Sequence, residues 1–459
     1  MRVAFSVDES AATHEFADVV IRVEGTATSK LDVEYDTILD RCGTVDPVAT
    51  DLLMVASAVY ATDKLVSRAA ARDRWTRDLS VTIPVSAPRR WARVREPLTL
   101  CLRFLTGDRW DVTFTALPAP LVRPSSQRTG RVGSVAGHSA VCLYSGGLDS
   151  LIGAIDWLSR ESGRLLLVGH HDRHAPGPKK DQLALIDPLE AEYPDRITTL
   201  LTRIGIQNRG AEITYRSRSL LFLALGVQAA AAVGAGTPVL IPENGTIALN
   251  LPLTPARRGT CSTRTAHPHY LDLFQAVVDG VGLSHRVSNP LFAKTKGECV
   301  RDCENSDLLE RLYGHTGSCA KRGHRSSWIR MGATQCGRCM PCLYRRAALH
   351  SMGWDTEKYG SDVCTGEVPL DSQAGRSTTA SSDLRAMLSC LRANPSEPEI
   401  AARLLANGPL SPAALSAAAA TVARTLDEVR DLFREKGTAA IRHRGGLDAR
   451  RVGRGKRRK

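Results

Sequence analysis

Residues 139–243 constrain the fold most, because short apolar runs alternate there with helix-like stretches. The apolar runs read "SAVCLY", "RLLLVGH", "ITTLLTRIG" and "PVLIPE", and they are separated by stretches such as "DSLIGAIDWLSRES" and "RSLLFLALGVQAAAAVGA". This alternation predicts an α/β fold in which helices cover both faces of a parallel sheet. Ligands of such sheets bind at the carboxyl ends of the strands, so the loops that follow the strands are the first place to look for chemistry.

Residues 1–122 are predicted to form a separate mixed α/β domain. The stretches "DVVIRV", "KLDVEYD", "DLSVTIPV" and "PLTLCLRFL" resemble strands, and "LTGDRWDVTFTAL" suggests a hairpin that turns at Gly107-Asp108. A long helix is expected after Asp46, which can cap it, with Pro47 at its first position. The segment carries no evident catalytic motif, so we expect it to serve as a scaffold or to dock a partner.

Two polar stretches rich in Gly and Ser, residues 123–137 and 370–383, are predicted linkers. They delimit a central domain at residues 138–365 and a helical region at residues 383–440. In that region Ser411 and Pro412 mark the expected start of a long helix, and Gly437 marks its end.

The last predicted segment, residues 441–459, is strongly basic. It carries nine Lys or Arg and one Asp, and so supplies most of the net charge of +13. A disordered tail is expected, and it is the one part of the chain that we expect to reach nucleic acid or another polyanion.

Composition narrows the class of protein further. The chain has 459 residues, of which 43% are apolar, which is typical of a globular protein. No segment reaches the roughly 18 apolar residues that a membrane span requires, and the start of the chain does not resemble a signal peptide, so a cytoplasmic protein without a membrane partner is expected. Twelve cysteines in such a chain favour metal ligands or free thiols over disulfides.

The sequence "SGGLDS" joins the apolar run "SAVCLY" to a predicted helix. Gly146 and Gly147 permit a tight turn that an oxyanion can approach, and the N–H groups at the start of a helix attract anions. Ser145 and Ser150 add hydroxyl donors. Asp149 would repel a phosphate unless a cation intervenes, so Mg²⁺ is expected. The chain has no G-x-x-x-x-G-K-[ST] motif, which excludes a Walker-type loop.

Four cysteines form the second strong motif, with the spacing C-x16-C-x2-C-x2-C. They are Cys319, Cys336, Cys339 and Cys342. Four thiolates suit a closed tetrahedral Zn²⁺ site that supports the fold. An iron–sulfur cluster is the alternative that the spacing leaves open.

Together the two motifs resemble the 7-cyano-7-deazaguanine synthases (QueC), a family of PP-loop ATP pyrophosphatases whose motif is S-G-G-x-D-S. Between the motifs, "RSRSLLFLALGVQAA" is similar to the family's G-R-N-x-x-F-L-S-x-A, with Arg218 at the arginine. The stretch "NPLFAKTKGECV" is similar to T-P-L-x-x-x-T-K-x-E and contains Lys296, and "ENGTIALN" replaces a shorter G-V-N with Asn244 as the match. The resemblance covers residues 141–355, about half of the chain.

The resemblance implies a PP-loop sheet of the adenine nucleotide alpha hydrolase type with a zinc knuckle, and ATP, Mg²⁺ and Zn²⁺ as cofactors. The residues that it implies for ATP binding are Ser145, Gly146, Gly147, Asp149, Ser150, Arg218 and Asn244. The catalytic residues that it implies are Ser145, Asp149 and Lys296. Candidates for contact with the base are Arg264, His267 and His269, in a loop that is longer and more polar than its counterpart in the family.

The implied activity is ATP-dependent adenylation of a 7-deazaguanine carboxylate, followed by amide formation. The extra segments before and after the central domain resemble the arrangement of QueC-like proteins in bacterial anti-phage operons, so the expected amine belongs to a partner protein of the same operon. One alternative is a synthase that uses ammonia to make the nitrile for nucleic-acid modification. Others are a tRNA-modifying PP-loop enzyme and a non-enzymatic nucleotide sensor.

Overall fold

A computed structural model describes residues 1–6, 19–22, 31–43, 46–118, 135–174, 177–207, 210–257, 264–370 and 381–448. The strands are β1 Arg2–Ser6, β2 Val19–Arg22, β3 Leu31–Val33, β4 Asp78–Val85, β5 Arg109–Ala116, β6 Ala140–Leu143, β7 Leu165–His171, β8 Ile197–Ile206, β9 Val239–Leu240 and β10 Val287–Ser288. The helices up to residue 280 are α1 Tyr35–Cys42, α2 Pro47–Leu65, α3 Pro88–Arg93, α4 Arg95–Thr106, α5 Leu148–Arg160, α6 Gly177–Glu192, α7 Arg218–Val233, α8 Gly245–Leu249 and α9 Pro268–Gly280. The later helices are α10 Lys296–Arg301, α11 Ser306–Leu312, α12 Met340–Ser351, α13 Ser382–Ala393, α14 Glu397–Leu405, α15 Pro412–Lys436 and α16 Ala439–Arg444.

The larger sheet has six strands in the order β10-β9-β6-β7-β8-β3. Its five strands from β6 to β10 are parallel, and β3 joins the edge antiparallel to β8. The predicted α/β fold with a parallel sheet is confirmed. Strands β7 and β8 extend the sheet to one side of β6, whereas β9 and β10 extend it to the other, so the winding reverses between β6 and β9. Parallel sheets bind ligands beside such a reversal point.

Burial explains why these strands read as unbroken apolar runs. Every residue of β6 and β7 is buried, as expected for central strands covered on both faces. Helices α5, α6 and α7 follow β6, β7 and β8 in the chain, in the predicted alternation.

The first 118 residues contain a second sheet of four parallel strands, in the order β2-β1-β4-β5. Two predictions are wrong here. The stretch "PLTLCLRFL" lies in α4, where Leu98, Cys101, Leu102 and Leu105 are buried at helical spacing. The predicted hairpin is absent, because Gly107 ends α4 in the left-handed conformation and β5 then pairs with β4 in parallel.

Helix α2 links this segment to the larger sheet. Asp46 caps its first turn by accepting a hydrogen bond from the backbone N–H of Val48 at 2.7 Å, with Pro47 at the first position, as predicted. Residues 51–64 are all buried, and one hydrophobic core contains residues of α2, both sheets and α7. The chain divides into two compact units, and Met1–Asn250 belong to the first of them together with Gly259–Phe292 and Cys303–Thr316. The residues on both sides of the predicted boundary near residue 122 therefore belong to the same unit.

The second unit contains Leu251–Arg258, Ala293–Asp302 and Gly317–Lys459. Its longest helix is α15, which Ser411 caps by accepting a hydrogen bond from the N–H of Ala414 and which ends at Gly437, as predicted. Most of both predicted linkers, residues 119–134 and 371–380, lies outside the described residues. No helix of the described residues is both long enough and apolar enough to cross a membrane.

The prediction of a disordered tail from residue 441 is wrong for residues 441–448. Helix α16 places Ile441 in the core of the second unit, and Leu447 is also buried. These two side chains give the segment an apolar side, which its basic composition conceals. Residues 449–459, which carry most of the basic side chains, lie outside the described residues.

Candidate functional site

The loop after β6 is a tight turn held by its own serines. The Ser145 hydroxyl oxygen accepts a hydrogen bond from the N–H of Gly147 at 3.2 Å and donates one to the hydroxyl of Ser150 at 3.2 Å. Ser150 in turn donates to the carbonyl of Gly147 at 2.9 Å. The two hydroxyls therefore fix the shape of the loop at the start of α5.

Gly146 is required by both the backbone and the packing of this loop. Its φ is +76°, a left-handed conformation that side chains other than hydrogen disfavour. A Cβ at this position would lie 2.8 Å from the Cβ of Asp181 and 2.8 Å from the backbone nitrogen of Gln182. Helix α6 therefore packs directly against the loop, a contact that the sequence motif does not reveal. Gly147, at the N-cap of α5, supplies no side-chain cap for the helix.

A buried hydrogen bond connects the two strands beside the reversal point. The side-chain amide of Asn244, which follows β9, donates to the Asp149 carboxylate at 2.8 Å. The amide oxygen of Asn244 accepts from the N–H of Ile247 and so caps α8. Since the amide oxygen is engaged, the amide nitrogen must face Asp149. The structure thus brings together two of the residues predicted for ATP.

Arg218 reaches the same edge of the sheet from the first position of α7. Its Nε donates to Nδ1 of His170 at 3.3 Å, and its Nη2 donates to the carbonyl of His170 at 3.2 Å. His170 belongs to β7, the strand next to β6. Sequence analysis did not single out His170, and its position near the end of an apolar run was the only signal that could have found it.

Lys296 lies in the second unit, at the first position of α10. It is buried and follows Thr295, which caps this helix together with Glu298 in a reciprocal pair of hydrogen bonds. Its predicted role toward ATP stays a prediction.

Each of the three residues predicted to contact the base makes a contact within the fold. Arg264 donates to the carbonyl of Phe104 at 2.7 Å, in the last turn of α4, and its guanidinium lies 4.5 Å from the centre of the Phe104 ring. His267 caps α9, since its Nδ1 accepts from the N–H of His269 at 3.2 Å. Burial, and then the charge of Arg264, lowers the pKa of His267 to about 4, so its ring is neutral at pH 7 and suits an acceptor. A role toward substrate stays a prediction for all three.

The four cysteines of the second unit form a cluster that could bind a metal ion such as zinc. One sulfur of each of Cys319, Cys336, Cys339 and Cys342 lies within 4.8 Å of the other three. The sulfurs of Cys336 and Cys342 are 3.8 Å apart. Tetrahedral zinc with bonds of about 2.3 Å to sulfur requires a separation of about 3.8 Å between ligands. The Cys336–Cys342 pair matches this separation, and the sulfurs of Cys339 and Cys342 lie closer together, at 3.3 Å.

Backbone N–H groups point at two of these sulfurs and favour the charged thiolate. The N–H groups of Lys321 and Cys336 donate to Cys319 at 3.3 and 3.4 Å, and those of Arg338 and Cys339 donate to Cys336 at 3.4 and 3.3 Å. Hydrogen bonds within the cluster, that with Cys319 first, lower the pKa of Cys336.

Gly337 makes this turn possible. Its φ is +75°, and a Cβ at this position would lie 2.3 Å from the carbonyl oxygen of Ser361. Any larger residue would force the segment with Ser361 away from the turn that carries Cys336 and Cys339.

Comparisons with models of known protein families, with curated proteins and with solved structures each gave no match for this chain.

The packing of Gly146 generates a test. We expect Gly146→Ala to destabilise the protein by roughly 1–3 kcal/mol more than Gly137→Ala, measured by chemical denaturation. Gly137 is the matched control because its φ is +80° and a Cβ there would have nothing within 4 Å. Both variants place a side chain in the strained left-handed conformation, but only the Cβ of Gly146→Ala would clash with α6. Equal losses of stability would show that α6 does not press on the loop.

Proposed function

We propose that this chain is an ATP-dependent PP-loop ligase that adenylates a 7-deazaguanine carboxylate and then joins the acyl group to an amine. The observation that carries the proposal is the position of "SGGLDS" at the carboxyl end of β6, beside the reversal point of a parallel sheet. The Asp149–Asn244 hydrogen bond and the placement of Arg218 at the neighbouring strand support it. The choice of substrate rests on the sequence resemblance.

The proposed reaction solves a leaving-group problem. A carboxylate is a poor acyl donor, because oxide would have to leave. In the first step a carboxylate oxygen attacks the α-phosphorus of ATP, and the bond to the oxygen that bridges to the β-phosphorus breaks. An unprotonated amine then attacks the acyl carbon, AMP departs with the electrons of the C–O bond, and the amine nitrogen loses a proton.

The chain's own residues bind and orient ATP in this proposal. Ser145, Ser150 and the N–H groups of the loop donate to the oxygens of the departing pyrophosphate, and Arg218 adds positive charge. Mg²⁺, which Asp149 would hold, offsets charge on the phosphates. Asn244 keeps the Asp149 carboxylate in place while ATP is cleaved and pyrophosphate departs.

The proposed amine is the N-terminal amino group of a partner protein. An α-amino group, with an ordinary pKa of about 7.7–8.0, is partly neutral at pH 7, whereas a lysine at about 10.4 is almost wholly charged. The arrangement of the chain resembles QatC, the QueC-like component of the Qat anti-phage system, and this resemblance supports a partner from the same operon. The N-terminal segment alone is weak support for docking, because it shares its core with the larger sheet.

The first test concerns ATP cleavage. We expect Asp149→Asn and Ser145→Ala each to lower the rate of pyrophosphate release by about 100-fold or more, because each removes a group that acts on the phosphates. Asp156→Asn is the matched control, since Asp156 is also buried on α5 but accepts a hydrogen bond from the N–H of Glu304. Wild-type rates of pyrophosphate release in both loop variants would refute the proposed use of the loop.

The second test concerns the cysteine cluster, for which we propose one structural Zn²⁺. Elemental analysis of the purified chain should find one zinc per chain, and Cys339→Ala should lose that zinc and lower the melting temperature, because metal binding is coupled to folding. Cys364→Ala should keep the zinc, since Cys364 is equally buried but lies outside the cluster. Iron with acid-labile sulfide in the wild-type chain would instead establish an iron–sulfur cluster.

The third test concerns the product. Intact-mass spectrometry of a partner encoded in the same operon, co-expressed with this chain, should show the added mass of a deazaguanine acyl group at its N-terminus. The addition should be absent with Asp149→Asn. An unmodified partner together with free nitrile would identify a small-molecule synthase, and free amide would identify ammonia as the amine.

A further inference from the structure

His170 lies beside the proposed ATP site without being part of the motif. It is the sixth residue of β7 and is fully buried. We propose that His170 is a positioning residue, which orients the Arg218 guanidinium toward nucleotide phosphate by accepting its hydrogen bond at Nδ1. This inference rests on the proposed function, because it assigns Arg218 to ATP.

The tautomer of His170 follows from its second hydrogen bond. Its Nε2 lies 2.7 Å from the carbonyl oxygen of Ile204 in β8. A carbonyl oxygen can only accept, so Nε2 carries the proton. In the neutral ring Nδ1 is then an acceptor, which is what the Nε–H of Arg218 requires at 3.3 Å. Strand β8 thus fixes the face that His170 offers to Arg218.

The surroundings of His170 keep its ring neutral. Burial first, and then the charge of Arg218, lowers its pKa to about 3. The ring of Tyr60 meets it edge-on at 6.1 Å, and the ring of Phe222 lies 6.5 Å away. A protonated ring would lose its acceptor and repel the guanidinium.

Asp172, an acid whose charge acts on the His170 ring, is already engaged. Asp172 accepts hydrogen bonds from the hydroxyl of Tyr60 and from Nζ of Lys64, both at 2.8 Å. The Lys64–Asp172 ion pair is buried and therefore closely paired. Asp172 does not ion-pair with Arg218 among the contacts of the described residues, so a neutral imidazole holds the arginine and a carboxylate does not.

This difference argues for binding rather than for structure alone. A carboxylate partner would orient the guanidinium and also neutralise it. Neutral His170 orients the guanidinium but leaves its full positive charge for an anion. The Nε and Nη2 groups of Arg218 donate to His170, and its Nη1 has no hydrogen-bond partner among the described residues. Since β7 neighbours β6 at about 4.8 Å, these donors lie one strand from the "SGGLDS" loop.

Two substitutions of His170 distinguish the roles of its two ring nitrogens. Asn has its amide oxygen near the place of Nδ1, so His170→Asn keeps an acceptor for Arg218. Gln has its amide nitrogen near the place of Nε2, so His170→Gln keeps the donor to Ile204 and loses that acceptor. We expect His170→Gln to weaken the binding of Mg-ATP, measured by calorimetry, by about tenfold, and His170→Asn to weaken it by less than about threefold. The KM for ATP should follow the same order, with a smaller change in kcat.

The Arg218→Ala background shows whether the effect passes through Arg218. In that background His170→Asn and His170→Gln should bind Mg-ATP equally, because the acceptor no longer has a donor. Arg218→Lys is a second variant for the case that substitution of the buried His170 prevents folding, which thermal melting would reveal. It keeps the charge, lacks the two-point contact, and should weaken Mg-ATP binding by about tenfold.

The outcomes distinguish this inference from the proposed function. Equal losses of Mg-ATP affinity in folded His170→Asn and His170→Gln, or unchanged affinity in Arg218→Ala and Arg218→Lys, would overturn the inference while pyrophosphate release by the wild-type chain still supported the ligase. The expected order of affinities in a chain that binds Mg-ATP but never releases pyrophosphate would support the inference and refute the ligase. Absence of Mg-ATP binding by the wild-type chain would overturn both.

Discussion

The hydrogen bond from Asn244 to Asp149 joins the segments that follow the two strands between which the winding of the sheet reverses. A buried carboxylate is costly unless it is paired, and here one partner is an amide whose oxygen caps α8. This hydrogen bond fixes the position of the carboxylate. Asp149 lies in the first turn of α5, directly after the tight loop against which α6 packs.

On the other side of the candidate site, the oriented group carries a positive charge. Arg218 is oriented by a neutral imidazole, which does not neutralise the positive charge of the guanidinium. A guanidinium that a neutral side chain orients can still bind an anion, which is the role that we propose for Arg218.

Local patterns in the sequence predicted those parts of the fold that local chemistry decides. The parallel sheet followed from its apolar runs, and the starts of α2 and α15 followed from Asp46 and Ser411. "PLTLCLRFL" could be read either way, since a short apolar run suits a strand as well as a buried helical face. The contact of His170 with Arg218 could not be predicted, because it joins residues 48 positions apart and depends on which strands are neighbours. The sequence alone does not separate a role of Arg264 and His267 in base recognition from the contacts that they make within the fold, because both call for the same polar side chains.

The N-terminal segment gains a physical role from the charges that α2 buries. Asp63 accepts a hydrogen bond from the hydroxyl of Ser217, the residue before Arg218, and Lys64 pairs with Asp172, two residues after His170. Adjacent residues of one helix thus hold the two chain segments that carry the arginine and its acceptor. Removal of one partner from a buried contact of this kind lowers the free energy of unfolding by several kcal/mol. Such contacts therefore tolerate little displacement. On this argument the N-terminal segment supports, from within the core, the edge of the sheet that we propose for ATP binding.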